Sequence, residues 1–210
     1  MPILVFWFIW KSRNRSCFDN LNTSLAQVSA FSLGLLSSYP LDTATLKVRI
    51  IIEEVIDKTK PWGFFDGSAS GSPQVCGAGG ILFLKYDHYF TFKAGLGEGS
   101  NNFTELYALK LLLTLALDKQ VSRIQVYGDS LLVINWILGK YRINNLHLAQ
   151  LLCEVIRLND FFKQADYQHI YRERNTLADK LANDGGKKQF GHWVISEYHG
   201  TRRHDTFKVF

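Results

Sequence analysis

Cysteine is scarce in this sequence, and its three cysteines are widely separated. Cys17, Cys76 and Cys153 form no C-x-x-C pair, so they indicate neither a zinc site nor a disulfide framework. A chain without structural disulfides suits a reducing compartment. We therefore expect an intracellular protein, in the nucleus or the cytoplasm, that is not secreted.

The sequence also lacks a hydrophobic run long enough to cross a membrane. Its most apolar stretch, MPILVFWFIW, covers residues 1–10, whereas a membrane-spanning helix requires roughly 20 residues. No basic region precedes this stretch, and no small-residue cleavage site follows it, as a secretion signal would need. We therefore expect a helix that is buried or faces a partner, and no membrane association.

Neither sign of charge dominates the composition. The formal net charge of +5 favours an anionic partner such as nucleic acid, although so small an excess also occurs in proteins without one. The 210 residues, of which 47% are hydrophobic, suffice for one buried core and an appendage, but hardly for two full domains. Composition alone therefore leaves the function open.

The first part of the chain has helical patterns and no catalytic pattern. After the apolar stretch at residues 1–10, a second helical pattern occupies LNTSLAQVSAFSLGLL at residues 21–36, with Asn22 or Thr23 as its cap. We expect a helical N-terminal segment over residues 1–57.

From Trp62 the pattern changes to strands, and later to alternating helices and strands. Strands are predicted at WGFFD, CGAGGILFLKY and DHYFTFKAG, and the short connection around Tyr86 predicts an antiparallel hairpin. Helices are predicted at NNFTELYALKLLLTLALDK, LLVINWILGK, LHLAQLLCEVIRLNDFF and NTLADKLAND, and further strands at RIQVYGDS and DYQHIYRE. Together these elements predict a mixed sheet covered by helices.

Four acidic residues occupy comparable positions in these elements. Asp66 and Asp129 end predicted strands, whereas Glu105 and Asp179 lie in the first turns of predicted helices. If these four carboxylates converge at one end of the sheet, they would repel each other without a cation. Such a cluster indicates a divalent-metal site, and oxygen ligands favour Mg²⁺ or Mn²⁺ over Zn²⁺. The alternative for Asp66 is a turn starter, whose side chain hydrogen-bonds the backbone two residues on.

Four sequence blocks carry a family resemblance. In this order, the chain contains FFDGSASGSP, SNNFTELYAL, VYGDSLLVI and HIYRERNTLADKLAN. Together they resemble the ribonuclease H family of type 1, particularly its divergent form in plant genomes and plant non-LTR retroelements, over about residues 62–183. The resemblance implies an α/β ribonuclease H-like fold, in which a five-stranded mixed sheet has helices on both faces. It also implies an enzyme that cuts the RNA strand of RNA/DNA hybrids with two Mg²⁺ ions, for which Mn²⁺ is an expected substitute.

The resemblance assigns the metal site to the same carboxylates that position selects. Carried over residue by residue, the family's ligands are Asp66, Glu105, Asp129 and Asp179. His169 stands where a family histidine assists water or product release, so the resemblance implies an auxiliary catalytic role. A structural histidine at a strand end is the alternative.

Further residues match positions at which the family holds its substrate. Asn101 and Asn102 match asparagines that hydrogen-bond the minor groove, where 2′-hydroxyls distinguish RNA from DNA; their alternative is a helix cap. Ser68 and Ser130 follow catalytic aspartates as expected donors to phosphate or ribose, and Asn175 matches a residue near the scissile site. The small residues after Asp66, such as Gly67, are expected to let a nucleic-acid backbone approach the metal ions.

The resemblance also divides the chain. Residues 58–186 are expected to form the ribonuclease H-like domain, and residues 187–210 a basic tail that is disordered at its end. Residues 1–57 resemble the region upstream of this domain in plant retroelement polyproteins, as a remnant would. We expect a monomer that binds RNA/DNA hybrids and no nucleotide cofactor. The alternatives are a nucleic-acid-binding remnant without turnover and a scaffold whose apolar N-terminal segment docks a partner.

Overall fold

The computed structural model describes residues 56–72, 74–200 and 202–209 of the chain. They belong to the unit Val55–Phe210. The predicted helices before residue 56 lie outside the described residues, so the helical N-terminal segment stays a prediction. No helix in the described part is both long and apolar enough to span a membrane.

Within the described residues, seven strands form one sheet, and four α-helices accompany it. The strands are β1 Trp62–Ser70, β2 Val75–Lys85, β3 His88–Gly97, β4 Arg123–Gly128, β5 Gln164–His169, β6 His192–His199 and β7 Arg202–Val209. The helices are α1 Asn101–Asp118, α2 Leu131–Ile137, α3 Leu146–Asn159 and α4 Thr176–Gly186, with a 3₁₀ turn at Arg172–Arg174. In space the strand order is β5-β4-β1-β2-β3-β6-β7.

The sheet is mixed, as the sequence predicts. β1, β2 and β3 pair antiparallel, and the turn between β2 and β3 lies at residues 86–87, where the hairpin is expected. β4 pairs parallel with β1, and β5 pairs parallel with β4, because helices connect these strands. β1 is therefore the strand at which the sheet changes from antiparallel to parallel pairing.

The sheet has seven strands, whereas five are predicted. The five expected strands are all present, and the C-terminal region adds β6 and β7 beyond β3. The expected disorder at the end of the chain is thus wrong for residues 202–209. β6 buries Trp193, Val194 and Ile195, and this apolar burial outweighs the basic character that indicated a tail.

Helices cover both faces of the sheet, as predicted. A β-carbon at Gly67 would lie 2.2 Å from the backbone nitrogen of Glu105 in α1, and one at Gly79 would lie 2.2 Å from that of Ala182 in α4. Gly79 pairs directly with Asp66, the neighbour of Gly67, and successive residues of a strand point to opposite faces. α1 and α4 therefore pack on opposite faces, and the glycines permit their close approach.

The main hydrophobic core involves α1. Its leucines at helical spacing, Leu106, Leu109 and Leu112, are fully buried, and the side chains of Phe65 and Phe92 from the sheet join the same cluster. Because this packing fixes the position of α1, it also fixes the position of Glu105 in the second turn of the helix.

Candidate active site

Two of the predicted aspartates lie side by side where the sheet changes direction. The parallel pairing of β1 and β4 ends at Phe65 and Gly128, and the next residues are Asp66 and Asp129. The carboxyl ends of parallel strands at such a switch point form a natural binding crevice. The turn-starter alternative does not describe Asp66, because it lies within β1 and its side chain is buried.

Glu105 reaches these aspartates from α1. Ser100 caps this helix by accepting from the Phe103 backbone N–H, so Glu105 lies in the second turn. The Gly67 N–H donates to Glu105 Oε2 over 3.2 Å. Carboxylate oxygens of Asp66, Glu105 and Asp129 lie within 4.8 Å of one another. We call these three residues the carboxylate cluster.

The contact with α1 revises the expected purpose of Gly67. Its missing side chain was expected to give room to a nucleic acid, yet the space is filled by the backbone of Thr104 and Glu105. Glycine is required here because it allows α1 to bring Glu105 to Asp66.

Asp179 lies beside the cluster and has partners of its own. Its Oδ1 accepts from Arg172 Nη2 over 2.8 Å, and its Oδ2 accepts from Asn183 Nδ2 over 3.1 Å. Its charge contributes to raising the pKa of Asp66. The structure therefore brings three of the four predicted ligands together and places the fourth next to them, in an ion pair.

The electrostatics of the cluster favour a cation. Burial raises the pKa of Asp66 well above its usual range, and the charges of Glu105 and Asp129 raise it further. Burial and the charge of Asp129 likewise raise the pKa of Glu105, against the lowering effect of the Gly67 N–H. Asp66 and Glu105 are only 4% and 6% exposed, so water offsets little of this repulsion.

Asn175 connects the carboxylate cluster to the end of β1. Its Nδ2 donates to Asp129 Oδ1 and to the backbone oxygen of Phe65, both over 2.9 Å. The residue is 1% exposed, and its contact with nucleic acid stays a prediction. Among the described residues its Oδ1 has no hydrogen-bond partner. This leaves an acceptor beside the carboxylates that water on a hydrated cation can satisfy.

His169 ends β5 next to the end of β4. Its Nε2 lies 3.1 Å from the backbone oxygen of Asp129, and its ring packs edge-on against Tyr171. The histidine is thus adjacent to the cluster, through the backbone of a cluster residue. Its auxiliary role stays a prediction.

The predicted substrate-binding residues surround the cluster. Asn101 is exposed and Asn102 half-buried in the first turn of α1, where Ser100 is the cap, so the cap alternative is wrong for both asparagines. Ser68 Oγ donates to Asn183 Oδ1, and Ser130 caps α2 by accepting from the Val133 N–H. Both serines therefore have structural partners near the site.

Sequence reasoning missed Arg172 and Asn183. Asn183 follows Asp179 by four residues on the same helix, a spacing that places both side chains on one face and predicts their contact. Arg172 lies in the 3₁₀ turn before α4, and no local pattern indicates its ion pair with Asp179.

Comparisons with known proteins agree with this geometry. The profile of the family described as reverse transcriptase-like matches residues 64–185. Ribonuclease HI of Halobacterium salinarum is 30% identical over 123 residues, which cover 58% of this chain and 61% of that protein. A provisionally named ribonuclease H protein of Arabidopsis thaliana is 28% identical over 193 residues, 86% of this chain and 30% of that protein. A bifunctional protein of Mycobacterium tuberculosis is 30% identical over 122 residues, 57% of this chain. The chain spans about a third of the length of the Mycobacterium and Arabidopsis relatives.

Solved structures show the same similarity. The crystal structure of RNase H1 from Halobacterium salinarum matches with a TM-score of 0.56 and 27% identity, over 60% of this chain and 96% of that one. LC11 RNase H1, solved in complex with an RNA/DNA hybrid, also has a TM-score of 0.56 and 27% identity, over 61% of this chain and 97% of that one. The family profile covers every residue of the carboxylate cluster. The chain therefore belongs to the reverse transcriptase-like family and has the ribonuclease H-like fold.

Proposed function

We propose that this chain is a metal-dependent endonuclease that hydrolyses the RNA strand of RNA/DNA hybrids. The observation that carries the proposal is the carboxylate cluster, three acidic side chains with oxygens within 4.8 Å of one another at the switch point of the sheet. The relatives named as ribonucleases H and the hybrid-bound structural neighbour support it. We further propose that the protein acts as a monomer in the nucleus or the cytoplasm.

The cluster fits Mg²⁺ or Mn²⁺ by the chemistry of its donors. All three residues offer carboxylate oxygens, and a divalent cation would offset the repulsion that raises the pKa of Asp66 and Glu105. Asp66, Glu105 and Asp129 would hold the ions, with Asp179 as the adjoining ligand. A bound pair of ions supplies Lewis-acid chemistry, activating water and offsetting charge on the leaving 3′ oxygen.

The surrounding residues keep the ligands in place before metal binds. Asn175 holds Asp129 against the end of β1, and the Gly67 N–H holds Glu105. Ser68 and Asp179 are linked through Asn183. This arrangement reduces the reorganisation needed on binding, which is how a supporting shell raises metal affinity.

Recognition of the hybrid falls to exposed residues at the rim. Asn101, in the first turn of α1, presents its amide to solvent near Glu105 and suits a hydrogen bond to a 2′-hydroxyl. Arg172 is 76% exposed in its side chain and suits a backbone phosphate. The net charge of +5 adds a general attraction for a polyanion.

One observation favours a second candidate, a nucleic-acid-binding remnant without turnover. The Arg172 guanidinium donates a hydrogen bond to Asp179, which an active site would use as a metal ligand. Such a remnant of a plant retroelement protein would bind hybrids and leave them intact. We favour the enzyme, because an exposed ion pair of this kind is weak and can open at little cost.

Cleavage of a labelled RNA/DNA hybrid with and without Mg²⁺ tests the proposal. We expect Mg²⁺-dependent cutting by the unmodified chain and its loss in Asp129→Asn. The matched control is Asp160→Asn, the same chemical change at an exposed position after α3, which should cut normally. Hybrid binding without cutting by the unmodified chain would favour the remnant, and equal cutting by Asp129→Asn would refute the metal site.

A further inference from the structure

A second group of ligand-type side chains lies far from the carboxylate cluster. It consists of His88 at the start of β3, with Glu197 and His199 near the end of β6. Along β2, the partner of His88 is Lys85 and the partner of Asp66 is Gly79. These positions are six residues apart, about 20 Å at the rise of a strand. The histidine group is thus separate from the proposed active site.

The three side chains converge closely. His88 Nε2 lies 2.8 Å from Glu197 Oε1, and His199 Nε2 lies 3.4 Å from the same oxygen. One ligand atom from each residue lies within 4.8 Å of the others. The imidazole rings of His88 and His199 stack with their centroids 3.7 Å apart.

The sheet holds these residues in register. His88 pairs directly with His199, and Phe90, two residues along β3, pairs with Glu197, so all four side chains share one face. The Gly200 N–H donates to the Asp87 backbone oxygen over 2.8 Å, which ties the two adjoining turns together. Phe90 is 2% exposed and forms an apolar floor. The ligands therefore stand on a rigid support.

The donor types of the group suit a metal ion. Two imidazolium rings stacked at this distance would repel each other, whereas neutral rings present nitrogen lone pairs. Glu197 adds a carboxylate oxygen to these nitrogen ligands. Two imidazoles and an ionised carboxylate form a donor set that suits Zn²⁺ and similar ions, in contrast to the oxygen-only carboxylate cluster.

We propose that His88, Glu197 and His199 form a binding site for a divalent transition-metal ion of the zinc class. The site links β3 to β6 across the sheet and leaves at least one coordination position open to solvent. The cysteine pattern of the sequence indicates no zinc site, and this one uses none of the cysteines. His88 and Glu197 are 109 positions apart in the sequence, so only strand pairing brings these two ligands together.

Zinc chloride titration of the full chain tests the proposal. Calorimetry in excess Mg²⁺, which occupies the carboxylate cluster, should show one tight zinc site in the unmodified chain. Co²⁺ as a second probe should give the visible absorption of a site with nitrogen ligands. His88→Gln and His199→Gln should each weaken zinc binding by about tenfold or more.

Two further variants separate this site from other histidines and from the proposed nuclease. His192→Gln changes an exposed histidine at the start of the same strand and should bind zinc normally. Asp129→Asn should also bind zinc normally, even though it loses cleavage. The His199 side chain is 61% exposed, so its variant should fold and melt like the unmodified chain without zinc. Equal zinc affinity of His88→Gln, His199→Gln and the unmodified chain would overturn the proposal.

Discussion

The carboxylate cluster and the histidine group differ in how their charges are balanced without metal. Asp66 and Glu105 are almost fully buried, and a neighbouring carboxylate raises the cost of ionising each of them: Glu105 for Asp66, and Asp129 for Glu105. His88 and Glu197 are partly exposed and already form a hydrogen-bonded pair. The carboxylate cluster therefore depends on a cation to be stable in its ionised form, whereas the histidine group is stable without one.

The two groups also differ in what positions them. Asp129 and Glu105 are held by Asn175 and by the Gly67 N–H, contacts that come from separate elements. His88 and His199 are held by direct strand pairing. Changes to supporting residues should therefore affect the carboxylate cluster most.

Glu105→Gln should have the largest effect, and in opposite directions on activity and stability. Removing a ligand should lower hybrid cleavage by at least about 100-fold. Removing a buried charge among carboxylates should raise the free energy of unfolding in EDTA at pH 8, since the repulsion on Asp66 falls. Cleavage assays and denaturant unfolding measure the two quantities. Glu154→Gln, which affects only an exposed ion pair with Lys110, is the control. Lower stability of Glu105→Gln in EDTA would contradict the prediction.

Gly67→Ala should destabilise the fold by about 3 kcal/mol, because the new methyl group overlaps the backbone of α1 at Thr104 and Glu105. It should also lower cleavage by displacing Glu105. Chemical denaturation measures the first effect. Gly186→Ala is the matched control, since its nearest neighbours would be 3.8 Å away. Equal destabilisation of both variants would show that the contact with α1 is not the cause.

Asn175→Ala should cost about 2 kcal/mol, because a buried backbone oxygen of Phe65 and Asp129 both lose their donor. As a positioning residue, Asn175 should also affect metal binding, so the Mg²⁺ concentration for half-maximal cleavage should rise by roughly tenfold. An unchanged Mg²⁺ requirement with reduced stability would indicate a purely structural residue.

The metal-free protein should lose stability as the pH rises above the ordinary carboxyl range near 4. The pKa values of Asp66 and Glu105 are raised in the folded state, so above the ordinary carboxyl range the folded protein binds more protons than the unfolded chain. Its stability therefore falls as the pH rises from that range to the raised pKa values. Thermal melts in EDTA between pH 5 and pH 8.5 measure this trend. Mg²⁺ should restore the melting temperature at high pH. His88→Gln should show the same fall of the melting temperature with pH. If this variant lost the trend, the histidine group and not Asp66 and Glu105 would be its cause.

Arg172→Ala should have the smallest effect on stability, within about 0.5 kcal/mol, because its ion pair with Asp179 is exposed. Freeing Asp179 should lower the Mg²⁺ concentration needed for cleavage. Arg174→Ala, in the same 3₁₀ turn, is the control. If the unmodified chain is inactive and Arg172→Ala cleaves the hybrid, the ion pair of Arg172 with Asp179 is what prevents turnover, as expected of the remnant.

Much of the fold follows from local patterns. The hairpin at residues 86–87, the long helix α1 and the end of β4 were predicted, because strand and helix periodicities are local properties. The end of β1 was not, since this strand continues past Asp66 to Ser70. The same patterns predicted where Asp66, Glu105 and Asp129 would meet. The strands β6 and β7 were not predicted, because the basic residues at 187–210 indicate a solvated tail more strongly than the short apolar run at Trp193 indicates a strand.

The sequence by itself determined the order of the elements and the acidic residues at their ends, since both depend on neighbours within a few positions. Only the tertiary structure decided that Arg172 pairs with Asp179, that Asn175 lies beneath Asp129, and that His88 meets His199. Two of these contacts join separate strands and helices, and the third depends on how a short turn folds back onto α4. Their formation depends on sheet register and on the packing of α1 and α4, which no local pattern contains.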